Sequence, residues 1–562
     1  MIKKIIILFV LLNVLAFSDM YLPMGNGNLK IDFDSKYYQI LKKDSLKSIG
    51  FENIKIGLII DNKIYNMRKI NPEISYINGT NILKMEGEIN KIKLQIYMYT
   101  PFDQNESYLN IYTKIMTDEI PKQYDIKVYY EIETDSKKNY VYWNNEKKYC
   151  FEKNIRIKSL SEKANFYLAT IKNMKDFKLR KVYNKKEKYV DEKIFLITDL
   201  GKVDMYETVE DFVVIGNDEK IDEVNSINYR MNLEEEILKW NYWEKELDLE
   251  NLTQIEKEIV LQNIALLKIH QLENGEIVVN QKNNNMELET KLYMLKAFLK
   301  LEYINEVKKG LDYLLKNNEL LEEGLNKELQ FALYLEILSD YLEKSKDFNY
   351  LKENYIAINS VAGKVYNYLE GINNKCELKD VEITLEEKNY ASDIIRKSKK
   401  YIKTISYFAP QEIVKTYQNK FDNLTEKFNK NQIEIENYGT LKSKLIQIKY
   451  LRNNLSENRK EKFTKFLWDY KNELELNERY DQYDINMLVE LLITLYNEGM
   501  FDKAELLKNR INDIVKSNKN VVPEYLKKYD DVYEYGGENI NMMLISKYIL
   551  MINFRRINGI KE

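Results

Sequence analysis

The stretch TQIEKEIVLQNIALLKIHQ, Thr253 to Gln271, is where this chain changes its period. Thr253 and Glu256 make a capping box, in which a hydroxyl and a carboxylate satisfy the first unpaired N–H groups of a helix. The box predicts a helix running to about Gln271. Upstream of about Ser226 the hydrophobic pattern has period two; after Asn232 it takes the 3.6-residue period of helices and keeps it to the end. Two halves of different architecture follow.

In IKLQIYMYT, Ile92, Leu94, Ile96 and Met98 point one way while Lys93, Gln95, Tyr97 and Tyr99 point the other, which is a strand with one buried face. The alternation recurs at Leu109, Ile111, Thr113 and Ile115, and again at Ile126, Val128, Tyr130 and Ile132. Asp61-Asn62 and Asn78-Gly79 are turn pairs, and Pro23, Pro72, Pro101 and Pro121, four of the six prolines, punctuate the same half. Many antiparallel strands without intervening helices predict a β-sandwich of roughly 200 residues.

Downstream, apolar residues recur at helical spacing. They stand at Leu292, Leu295 and Leu299; at Phe331, Leu335, Leu338 and Leu342; at Phe348, Leu351, Tyr355 and Ile358; and at Ile413, Tyr417, Phe421 and Leu424 behind Pro410. Starts and stops give about twelve helices with mostly short connections. A solenoid would repeat at one period of about 34 residues, and these hairpins are unequal, so a closed (α/α)6 toroid is the better expectation.

The N-terminal MIKKIIILFVLLNVLAFS has two lysines, an apolar core, and Ala16 and Ser18 at small-residue cleavage positions, the pattern of a secretory signal peptide. The run from Ile5 to Phe17 is short for a membrane span, a retained anchor being the alternative. The expected organisation is a signal peptide over 1–18, a β-sandwich over 19–231, a linker helix over 232–252 and a helical ring over 253–562, in a secreted or periplasmic protein without a stable membrane span after cleavage. Net charge is −3 from 86 basic and 89 acidic residues, well mixed, which gives no basic stripe for nucleic acid. A single histidine, His270, makes zinc sites and histidine triads hard to build, so no metal or cofactor is expected, and its place in a helix pattern points to a structural role. Cys150 and Cys376 lie far apart, and a disulfide between them is left open.

Several words of the sequence resemble glycoside hydrolase family 15, the glucoamylase and glucodextranase-like enzymes of the six-hairpin glycosidase group. MGNGNLKIDFD (Met24 to Asp34) is similar to the family's "GNG" start of the sandwich, and WNYWEKEL (Trp240 to Leu247) to the segment leading out of it. IVLQNIALLKIHQLENGEIVVN (Ile259 to Asn280) and LYMLKAFLKLEYINEVKKGLDYLL (Leu292 to Leu315) look like its first helix and turn and its second helix with partner. The resemblance implies an oligosaccharide or polysaccharide ligand and inverting hydrolysis by two carboxylates, one a general acid and the other activating water, about 6.5 to 9.5 Å apart. Glu382 falls where the family's acid would stand, with Val381 in place of its Trp and no Arg-Gly following. Glu534 is the best match to the base, and Glu538 the second. Tyr390, Tyr533 and Tyr535 lie near these segments as candidate stacking rings.

In active family members an Arg-Asp pair before the second helix clamps the terminal sugar. Here Glu289 and Thr290 occupy those positions and the loop has shrunk to NQKNNNMEL, Asn280 to Leu288. A forked cation and an acceptor carboxylate have become a carboxylate and a small hydroxyl, so the resemblance implies a degenerate sugar-recognition loop.

Overall fold

A computed structural model describes residues 21–27, 29–42, 51–103, 105–120, 122–134, 138–144, 149–152, 155–161, 163–169, 180–181, 186–190, 193–216, 219–224, 229–250, 252–278, 284–317, 319–320, 327–377, 385–406, 409–430, 482–497, 499–523, 525–529, 532–536 and 541–552. Two antiparallel sheets build the N-terminal half. The first runs Tyr21–Gly25, Lys30–Asp34, Gln39–Lys42, Phe51–Ile60, Tyr124–Thr134, Lys193–Val203, Ala164–Ala169 and Arg180–Lys181, with Lys63–Asn66 added to Phe51–Ile60. The second runs Lys186–Val190, Lys138–Asn144, Tyr149–Glu152, Ile155–Ser159, Thr208–Gly216, Tyr108–Thr117, Ile92–Tyr99, Leu83–Ile89 and Glu73–Tyr76. The Asp61-Asn62 turn has φ of 47° and 60°, the left-handed pair of a tight hairpin, where Asn and Asp are tolerated.

The sheets face each other. Ile54, Leu58, Ile126 and Val128 of the first share one core with Leu94, Ile96, Leu109 and Ile111 of the second. The other face of the second sheet, with Tyr99, Tyr108, Tyr112 and Phe212, packs on Trp240 and Trp243 of the following helix. Covered on both sides, the central strands Tyr108–Thr117 and Thr208–Gly216 lose the half-exposed alternation of an outer sheet.

One polar cluster interrupts the sandwich core. Tyr130 donates to Asp211 at 2.8 Å and lies 3.3 Å from the Thr113 hydroxyl, all three buried. Burial pushes the Asp211 carboxyl up to about 6, against the pull of Tyr130 and Thr198. A carboxyl raised in the folded state binds extra protons there, so its contribution to stability falls as pH rises from about 4 to 6 and is flat above. Asp211→Asn removes that dependence, worth about 3 kcal/mol for a shift of this size. Thermal unfolding between pH 4.5 and 7.5 should therefore slope less in the variant than in the wild type; parallel curves would contradict the assignment.

The helix between the halves is Tyr229–Glu244. Gln254–Lys268 then opens on the expected capping box: Thr253 N–H donates to Glu256 Oε2 at 2.9 Å and Glu256 N–H to Thr253 Oγ1 at 3.3 Å. Lys508 reaches the same carboxylate at 2.7 Å, fastening this helix to Phe501–Ser517.

Among the described residues ten helices form two layers. In the inner layer Ile485–Asn497 packs on Met542–Ile552, which packs on Asn284–Lys300, then Lys327–Ser345, then Leu385–Ile405. Gln254–Lys268, Ile304–Lys316, Tyr355–Glu377, Gln411–Lys430 and Phe501–Ser517 lie outside, each against inner neighbours. This inner-outer alternation is that of a toroid. The stripe read through Phe348 to Ile358 is broken by Asn354 into a short helix, Phe348–Glu353, and the start of Tyr355–Glu377.

Sandwich and ring are joined by polar contacts: Gln262 donates to the Thr80 carbonyl at 3.0 Å, and Asn520 to Asn78 at 3.1 Å. His270 is buried at this junction, 3.2 Å from the Val278 carbonyl and 3.4 Å from Lys30, and burial holds its pKa well below the usual value, a structural imidazole. Cys376 is not in a disulfide. No helix among the described residues is long and apolar enough to cross a membrane.

Candidate functional site

Several inner helices carry a line of half-buried polar residues between buried apolar ones. On Asn284–Lys300 these are Glu289, Tyr293, Lys296 and Lys300, spaced i, i+4, i+7 and i+11, half-buried between fully buried neighbours. Such spacing faces one direction. Glu336 and Asp340 occupy the matching stripe of Lys327–Ser345, Asn486 and Glu490 that of Ile485–Asn497, and Lys547 that of Met542–Ile552.

Contacts across helices show that the stripes converge. Glu336 takes Lys296 at 2.9 Å and Lys397 at 3.3 Å, bridging three inner helices. Lys547 binds Glu490 at 2.8 Å and lies 5.2 Å from the centre of the Tyr293 ring, joining Met542–Ile552 to Ile485–Asn497 and Asn284–Lys300. Lys400 pairs with Asp340. The ring therefore encloses a throat of alternating charge, with Tyr293 at its centre: burial first, then the fields of Glu490, Glu289, Glu336 and Asp393, push that phenol well above its ordinary pKa.

The electrostatics of the throat limit its chemistry. Burial alone would raise Glu336, but Lys296 and Lys397 outweigh it and hold the carboxyl well below the usual range. Burial lowers Lys397 in turn, opposed by Glu336. A carboxylate so paired accepts hydrogen bonds and does not deliver a proton near neutral pH. Glu490 is likewise tied to a lysine of a neighbouring inner helix, Lys547.

The residues proposed from sequence fare differently. Glu382 and Glu538 lie outside the described residues. Glu534 sits on the strand Val532–Gly536, opposite Lys527 in a hairpin with Tyr525–Tyr529, directly ahead of the inner helix Met542–Ile552; its side chain lies outside the described residues. Tyr390 is placed, donating to Glu328 at 3.2 Å at the start of an inner helix and accepting from the Leu329 N–H at 3.1 Å. Glu289 and Thr290, read as the end of a shortened loop, are helical, because Asn284–Lys300 begins six residues before Thr290. Thr290 is wholly buried, and Glu289 is the one of the pair on the throat stripe.

The throat itself was missed from sequence. Its signal was present in Glu289, Tyr293, Lys296 and Lys300, a polar line on a helix otherwise too apolar to have a solvent face.

The class the fold defines is an antiparallel β-sandwich followed by an (α/α)6 toroid. No family model and no curated protein matches the sequence. Among solved structures the chain is similar to a bacterial glucoamylase complexed with acarbose, with TM-score 0.64 at 10% identity over 96% of this chain and 94% of that one. A rhamnosidase from Klebsiella oxytoca with rhamnose bound aligns at TM-score 0.41 and 9% identity, over 89% of this chain and 92% of that one.

Proposed function

We propose that this is an exported carbohydrate-active protein of the glycosidase fold, which holds an oligosaccharide at the mouth of its ring and does not hydrolyse it by the glucoamylase route. One observation carries the reading: the half-buried throat carboxylates are held by lysines of neighbouring inner helices, Glu336 by Lys296 and Lys397 and Glu490 by Lys547. They are poised to accept from sugar hydroxyls, with Tyr293 between them as an aromatic surface. Glu289 and Thr290 in the positions of a sugar clamp support the same reading, since neither supplies a forked donor. The leader over 1–18 supports export.

The test is a calorimetric titration of the purified protein with maltoheptaose. Saturable binding is expected, weakened about tenfold in Glu490→Gln, the loss of one charge-assisted hydrogen bond. Absence of binding, or equal affinity in the variant, would remove the ring mouth as the site.

A second reading keeps inverting hydrolysis of an α-glucan, with Glu382 as acid and Glu534 as base. It is favoured by the strand carrying Glu534, which leads into the inner helix Met542–Ile552.

A further inference from the structure

Where Asn284–Lys300 ends and the chain turns through Tyr303 into Ile304–Lys316, sandwich, linker helix and ring line a cleft of about 450 Å³ that includes none of the throat residues. Phe102, Asp103 and Asn105 reach it from a sandwich loop, and Lys268 closes it from the first ring helix. The Lys268 ammonium donates to the Tyr303 hydroxyl at 2.8 Å and lies 5.0 Å from the ring centre of Phe102, 5.2 Å from Trp243 and 5.3 Å from Tyr303. Aromatic faces attract a cation but bring no counter-charge.

Here Lys268 differs from four more deeply buried lysines of the ring. Lys291, Lys397, Lys508 and Lys547 each hold a carboxylate within 3.3 Å. Among the described residues Lys268 has none within ion-pair reach. Burial pushes its pKa down to about 8, with Glu306 and Glu246 pulling up and Lys309 pushing down, so it stays largely protonated at pH 7. A buried cation without an anion, at the floor of an open cleft, is a receptor for one.

The rim is closer to neutral. Lys309 pairs with Glu306 at 3.6 Å and Lys239 with Glu236 at 3.3 Å. Asp103, Asn105 and Glu273 stand exposed around the opening, where water screens the two carboxylates. They suit hydroxyl groups better than a second anion.

We propose that this cleft binds a small anionic sugar, a sugar acid or a sugar phosphate, whose charged group sits on Lys268 and whose hydroxyls meet Asp103, Asn105 and Glu273. The site is separate from the ring mouth and stands whether or not the throat binds glycan.

The intact protein is titrated with glucuronate, glucose 6-phosphate and neutral glucose, followed by calorimetry and by tryptophan fluorescence, since Trp243 forms one wall of the lysine's cage. One charged probe should bind at least tenfold more tightly than glucose, and which one does so tells carboxylate from phosphate. Lys268→Gln should lose that preference. In the wild type the affinity should fall from pH 8 to 9.5 as the ammonium loses its proton; Glu236, raised by burial to about 7 beside Lys239, is already ionised there, and Tyr303, pushed far above its ordinary value by burial, does not titrate in that window. The pH series decides the matter if the variant fails to fold. Equal binding of glucose and both anions, an unchanged preference in Lys268→Gln, or a pH-independent affinity would each overturn the site.

Discussion

Glu336→Leu should unfold the ring far earlier than the wild type. The substitution leaves Lys296 and Lys397 facing each other in the throat without their shared carboxylate, and Lys397 is the more buried of the two. Removing one partner of a buried pair costs about 3–5 kcal/mol, because a charge is stranded away from water. For a domain of this size that is a fall in Tm of roughly 5–15 °C. Glu336→Leu combined with Lys397→Met should recover at least half of the loss, since Lys296 keeps some access to solvent. The pair also sets a pH limit. A carboxyl lowered in the folded state contributes stability above its unfolded value of 4.5, and that contribution is lost progressively as pH falls below it. The wild type should lose Tm below pH 4.5 more steeply than the double variant; identical acid limbs would show that Glu336 is not held as described.

Trp240→Ala is expected to have an effect of similar size by another route. Trp240 is 1% exposed and meets Phe102 edge-on at 5.0 Å and Trp243 at 5.4 Å, so this side chain packs the linker helix on the sandwich. Deleting a buried indole costs about 3–5 kcal/mol, the upper range for core truncation, through lost burial and the cavity left behind. A fall in Tm of several degrees should appear together with a change in Trp243 fluorescence, because Trp243 loses its edge contact. A Tm within one degree of the wild type would mean that the halves dock without this ring.

How much of this was legible in the sequence depends on the range of the interaction. The period-two runs at Ile92 to Met98 and Leu109 to Ile115 became strands of one sheet, and the Thr253–Glu256 box became a formed cap. These are local patterns, fixed within a few residues. Burial of both faces of the central sheet was not visible, because an alternation such as Leu109, Ile111, Thr113 and Ile115 marks one buried face, and the other, with Tyr108, Tyr112 and Phe212, is covered only by the distant Trp240 and Trp243. The helix start at Asn284 was placed too late because a run of asparagines resembles a loop; only the packing of Leu288 and Leu292 against the ring makes it helical.

Site residues were harder still. Family resemblance directed attention to Glu382 and Glu534, which are chosen by position along the chain. The pairings that shape the throat, Lys296 with Glu336 and Lys547 with Glu490, join residues 40 and 57 positions apart on different helices. A single sequence carries no record of such pairing. Lys268 was invisible for the same reason, since its cage is assembled from three separate parts of the chain.

The central claim is that an oligosaccharide is held and not cleaved. Release of glucose from maltooligosaccharides by the purified protein tests it most directly, run beside the binding titration on the same preparation. The account predicts saturable binding with no release above the protein-free control, in the wild type and in Glu382→Gln and Glu534→Gln alike. Steady release by the wild type that disappears in either variant would contradict it and put a hydrolase using those carboxylates in its place.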